Sequence, residues 1–252
     1  MRVSFIAVMY YLALLATLGS SPSFALDPTA NVQPSPIPVP PPPIPDFLMN
    51  NVPPIEKTAP GMFRMGDIVI NKKERSISFP ALVNQKDGLL EYLVVHRRGK
   101  VHESLFKTDV EPYYLNVAFL LLEFEGTDKP LQFQGDPAIP KGDSVSITVS
   151  YNEKENKKIS VSPEKWIILR KFNDSSYQED VGPLKWVYTG AKVWNGRFSA
   201  QTGGSIIAVY HDPDALIDNA SPGGESDKIW FVNAKTALPV GTLVTITIKS
   251  AK

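Results

Sequence analysis

The sequence predicts an α+β fold, mostly antiparallel strand with one or two short helices, built from a duplicated unit that packs as one compact domain. Three observations predict it. Short runs rich in Val, Ile and Thr recur between turn residues along the whole chain. A single convincing helix, Glu111 to Phe124, stands among them, apolar all round from Val117 to Leu122. The stretch Ala138-Ile139-Pro140-Lys141-Gly142 with its following strand returns 99 positions later as Ala237-Leu238-Pro239-Val240-Gly241 with Leu243 to Ile248.

Before these elements come two segments of different character. Arg2 precedes an apolar run from Val3 to Leu18, then Gly19-Ser20-Ser21-Pro22, then small residues at Ser23 and Ala25. This is the pattern of a secretory signal peptide over 1–25, cut after Ala25. A retained membrane anchor is the other reading of the same run. Prolines 34, 36, 38, 40–43 and 45 then dominate 26–61. Such a run has neither helix nor ladder open to it and reads as an extended spacer. The folded domain is expected from 62 to 252, with repeat halves at about 67–151 and 184–250.

The expected elements follow in order. Asp67 to Ile70 and Arg75 to Leu82 form a hairpin over Lys72-Lys73-Glu74, the second strand alternating Ile77, Phe79 and Ala81 with polar neighbours. Leu89 to Arg97 turns back at Arg98-Gly99 into Val101 to Thr108, which would make His96 and Glu103 diagonal neighbours. Thr108 and Asp109 cap the helix, with Pro112 in its first turn. Strands are expected at Leu131 to Gln134, Ser144 to Tyr151, Lys158 to Ser162 and Trp166 to Arg170, and Lys171 to Val181 as loop. Leu184 to Ala200 reads as a hairpin around Asn195-Gly196, and Ser205 to Tyr210 as a strand. His211-Asp212-Pro213 opens a second helix to Asp218, and strands at Lys228 to Asn233 and Leu243 to Lys249 close the chain.

Composition removes several classes of function. The full chain carries 26 basic and 26 acidic side chains, and without its first 25 residues 25 against 26. No basic footprint for nucleic acid is present, and no stable membrane insertion is expected after signal cleavage. With no cysteine the chain has no disulfide, thiolate metal site, iron–sulfur cluster or cysteine nucleophile. No phosphate-cradling glycine loop opens a helix, and no cofactor or metal site is assigned.

Gly99 to Pro112 carries the densest mixture of functional groups. Candidate ligand-binding residues are Glu91, Lys100, His102, Glu103, Ser104 and Thr108. Glu91, His96, His102, Glu103, His211 and Asp212 have metal-ligand chemistry but none of the usual ligand spacings. Tyr113, Tyr114, Trp186, Tyr188 and Trp194 offer either core or a sugar-stacking platform. A structural account has the same standing, the motif being a joint between strand and helix.

The run Leu90-Glu91-Tyr92-Leu93, then Gly99-Lys100-Val101-His102-Glu103-Ser104-Leu105, resembles the YdjY-domain proteins, secreted or periplasmic bacterial proteins whose function is uncharacterised. Trp186 to Gly190, Gly204 to Ala208 and Pro239 to Val244 are similar to the same family's second half. The resemblance implies a domain type and a location. The expectation is a binding or structural module of the cell envelope, leaning non-enzymatic, whose partner is an envelope component or protein. The competing expectation is a hydrolase, with or without a metal, acting on an envelope polymer through His102, Glu103 and Ser104.

Overall fold

The computed structural model describes residues 52–153, 157–171, 174–194 and 196–251. The expected signal peptide and the proline-rich run lie outside them. In chain order the strands are β1 (Ile55–Ala59), β2 (Met62–Met65), β3 (Ile68–Asn71), β4 (Ser76–Val83), β5 (Tyr92–His96) and β6 (Ser104–Thr108). Helix α1 (Pro112–Leu121) follows, then β7 (Asp143–Asn152), β8 (Lys158–Val161), β9 (Ile167–Lys171), β10 (Asp174–Asp180), β11 (Trp186–Tyr188), β12 (Val193–Trp194) and β13 (Arg197–Phe198). The short helix α2 (Ser199–Gly203) leads to β14 (Ser205–Ala208), β15 (Ile217–Asn219), β16 (Trp230–Val232) and β17 (Leu243–Ser250).

Eight strands close into a barrel in the order β4-β17-β7-β11-β15-β14-β5-β6, and β6 returns to β4. Among the described residues the fold is therefore mostly β with two α-helices, but its sheet is mixed. The β5–β6 and β14–β15 pairs are parallel. Alternation explains the antiparallel wall: Ile77, Phe79, Ala81 and Val83 of β4 are buried, as are Val244, Ile246 and Ile248 of β17 and Val145, Ile147 and Val149 of β7. Every residue of β5, β14 and β15 is buried, as strands with parallel neighbours and cover on both faces require.

Strand β4 changes partner along one edge. Its first half pairs with β3 at Ser76, Ile77 and Ser78; its end pairs with β6 at Leu82 and Val83. Pro80 sits between these stretches. The ladder bonds of Val83 run to the β17 side, its N–H to Thr242 and its C=O from Gly241. By alternation Pro80 faces the β3/β6 side, where a missing N–H breaks no ladder. Its carbonyl accepts the Thr108 hydroxyl at 2.6 Å.

Helix α1 packs Leu115, Ala118 and Phe119 into the core, and Phe119 stacks on Phe124 and Tyr188 at 5.2 and 4.6 Å between ring centres. Its first turn is stitched by Gln201 of α2, whose Oε1 accepts the Tyr113 N–H at 3.0 Å. At the other end the Arg75 guanidinium donates to the Leu122 and Glu123 carbonyls, at 3.2 and 2.9 Å. Trp186 and Tyr188 are core residues, 3 and 1 % exposed, rather than a stacking platform.

Several expectations are corrected. The Arg98-Gly99 hairpin does not form: Val101–Glu103 is a 3₁₀ turn, and β6 runs parallel to β5, Tyr92 opposite Ser104 and His96 opposite Thr108. Gly99 serves close approach instead. A Cβ there would stand 2.9 and 3.1 Å from the carbonyl oxygens of Gly203 and Gly204, and the Gly204 carbonyl accepts the His96 N–H at 2.8 Å. Thr108 and Asp109 do not cap α1; Glu111 is its N-cap residue, and Asp109 pairs with Arg97 at 3.3 Å.

Leu131 to Gln134 is a turn, and Lys171 to Val181, expected as loop, contains β10. His211-Asp212-Pro213 opens no helix but a turn into β15. The echoed strands β7 and β17 lie side by side, but the described residues 212–218 form turn and strand, not the helix that would match α1. Among the described residues strand pairing starts at Ile55, where β1 pairs with β2.

Candidate functional site

Four of the six candidate residues meet at the N-terminal ends of β5 and β6. Glu91 is fixed by its backbone from both sides. Its N–H donates to Glu103 at 3.0 Å, and its carbonyl accepts the Val209 and Tyr210 amides at 2.8 and 3.0 Å. Its side chain is half-buried beside Glu103 and shares a hydrogen bond with it. Burial, then the Glu103 charge and that bond, push the Glu91 carboxyl up to about 7, with Lys100 pulling the other way. Glu103 also meets the exposed His102, Nε2 to Oε1 at 3.4 Å.

Lys100 arrives from the loop between the parallel strands. Its ammonium donates to Tyr92 Oη at 2.9 Å and to Gln134 Oε1 at 3.0 Å. Gln134 Nε2 donates to Tyr92 Oη at 3.0 Å and to Glu91 Oε2 at 3.3 Å. Tyr92 Oη donates in turn to Asp212 Oδ2 at 2.7 Å, which also accepts Ser205 Oγ at 2.9 Å. One donated and two accepted bonds saturate the phenol, and burial followed by the Asp212 charge raises its pKa.

The turn carrying Gln134 is brought in by Gly135. At φ +78°, a Cβ there would strike the Tyr210 hydroxyl at 2.2 Å, while the Gly135 N–H donates to the His211 carbonyl at 2.9 Å. Tyr92, Gln134, Ser205, Tyr210 and Asp212 complete the network, and no local spacing marks them as a set. Only the folded chain does so, with Tyr92 and Ser205 on the neighbouring strands β5 and β14 and the other three on turns.

Ser104 and Thr108 are placed differently. Ser104 is fully buried, its hydroxyl donating to the Phe106 carbonyl at 2.6 Å, so it is spent on the backbone and not on His102. Thr108 lies four residues further along β6, about 13 Å away at strand rise. It donates to Pro80 and accepts the Val110 N–H at 3.1 Å, which ties the end of β6 to β4 and to the stretch that leads into α1, without capping the helix.

The histidines lie apart. His96, 1 % exposed, faces Glu111 at 3.8 Å and not Glu103; burial and then Arg98 lower its pKa. His211 places its ring nitrogens 2.7 and 2.8 Å from the Asp136 and Asn219 carbonyl oxygens. Among the described residues no group of three acids and histidines is placed to hold a metal ion.

A mixed eight-stranded barrel with a half-buried carboxyl pair, lysine and glutamine at one end of two parallel strands is the class of protein these features define. The YdjY domain model matches residues 68–249, and the chain belongs to the YdjY-domain family. No curated protein and no solved structure matches it.

Proposed function

We propose that the chain is a secreted binding module of the bacterial cell envelope, and that it recognises its partner through the face formed by Glu91, Lys100, His102, Glu103 and Gln134. The observation that carries this reading is the convergence of these groups, from three separate stretches of chain, with a carboxyl poised near neutral pH. Pairs of acids crowded together, with a lysine and an amide within one bond, are costly to arrange for stability alone. They offer donors and acceptors of both charge types to a partner rich in hydroxyls and amides, as envelope polymers are. The apolar run at 3–18 and the small residues at Ser23 and Ala25 support export.

The test is cosedimentation with purified peptidoglycan sacculi, alongside fractionation of the expressing cells. Wild type should pellet with the sacculi at pH 7, and Gln134→Ala with Glu91→Gln should stay in the supernatant while melting as a folded protein. A wild-type protein that never pellets, or that stays in the cytoplasmic fraction, would refute the reading.

A further inference from the structure

A cleft of about 420 Å³ opens where β4 changes partner, lined by Asp67, Pro80, Ala81, Leu82, Arg97, Lys107, Thr108, Asp109, Val110 and Leu243. Its volume falls within the usual range for small-ligand sites. The register explains its shape. β6 leaves β4 after Lys107 pairs with Leu82, and β3 joins β4 only at Ser78, so the two strands part around Pro80. The floor is the outer face of the barrel, and its Leu82 and Leu243 are 38 and 66 % exposed.

The walls differ in charge. Arg97 and Lys107 come from the β5–β6 side, and Asp67 from the turn before β3. Asp109 is matched with Arg97 at 3.3 Å. Lys107, half-buried, and Asp67 have no ion-pair partner among the described residues. The cleft thus holds one cation and one anion without ion-pair partners, on different strands' sides of Pro80, over an apolar floor.

We infer that this cleft is a second binding site, separate from the polar face, and that it takes a short zwitterionic peptide: free carboxylate on Lys107, free ammonium toward Asp67, apolar side chains on Pro80, Leu82 and Leu243. The two charges are opposite in sign to the two termini, and the apolar contacts cover side chains that the fold leaves in water.

Calorimetric titration of the intact protein with the dipeptide Leu-Leu tests this. Saturable one-to-one binding is expected. Amidating the dipeptide's carboxylate should weaken it about tenfold in wild type and cause no further loss in Lys107→Ala; N-acetylation should do the same against Asp67→Ala. Both positions lie in the cleft wall outside the core, so both variants should fold, as a melting curve checks. Glu91→Gln should bind Leu-Leu as wild type does, which keeps this site distinct from the polar face. Absence of saturable heat, or capped dipeptides that bind as well as the free one, would overturn the inference.

Discussion

Replacing Glu91 with Gln should make the protein more stable at pH 8 and leave it nearly unchanged at pH 4.5. The folded protein holds the Glu91 carboxyl at about 7 against an ordinary 4.5. A carboxyl raised on folding keeps its proton in the native state where the unfolded chain has lost it. Stability therefore falls as pH rises from about 4.5 to about 7, then stays level. The full shift corresponds to about 3.4 kcal/mol at 1.36 kcal/mol per pH unit, but Glu91 is only half-buried and solvent screens the interaction, so about 1–2 kcal/mol is expected. Gln keeps an oxygen for the Gln134 amide and carries no charge beside Glu103. At pH 8 the variant should melt about 2–8 °C above wild type, given about 2–4 °C per kcal/mol for a domain of this size. The assay is a pair of calorimetric melts at each pH. An equal difference at both values, or a less stable variant at pH 8, would refute the argument that a crowded, half-buried carboxyl sets the pH dependence.

Thr108→Val should cost about 1–3 kcal/mol in urea unfolding, since it leaves the Pro80 carbonyl and the Val110 amide without their partner; an unchanged midpoint would remove the strand-to-helix joint. Gly99→Ala should cost about 1–3 kcal/mol, because its methyl can be admitted only by moving the Gly203 and Gly204 carbonyls, and the same melts read it. Ser104→Ala should cost about 1 kcal/mol, the loss of one buried hydroxyl bond, and leave cosedimentation with sacculi at the wild-type level; a selective loss of binding with full stability would return Ser104 to the site.

The antiparallel wall was legible in the sequence because alternation is a local property: Ile77, Phe79 and Ala81 announce both strand and inward face. The helix α1 was legible too, but its cover was not: an apolar run from Val117 to Leu122 predicts burial all round, whereas Leu120 and Leu121 are 57 and 44 % exposed. The parallel pairs were not legible. A seven-residue link from Arg97 to Glu103 is far shorter than the usual crossover between parallel strands, so proximity in sequence argued for a hairpin. What decides the matter is distant: β14 occupies the other edge of β5, and Gly204 presses against Gly99. For the candidate site, Glu91, Lys100, His102 and Glu103 were found as a group because they are close in sequence. Gln134 and Tyr210 could be found only through the fold, since the turn at Gly135 has no chemistry of its own. Ser104 was misjudged because hydroxyl chemistry in a sequence carries no sign of burial.

The placement of β17 between β4 and β7 governs when the molecule can exist as a barrel. Phe79 finds its partner Ile246 167 positions downstream, whereas β4 and β6 meet across 25, Leu82 opposite Lys107. As the polypeptide leaves the ribosome, β3, β4 and β6 can associate early, but the gap between β4 and β7 stays open until residues 243–250 have been made. Until then the nascent chain presents two unsatisfied strand edges, and a stop codon shortly before Leu243 would leave nearly the whole sequence translated with its sheet unclosed.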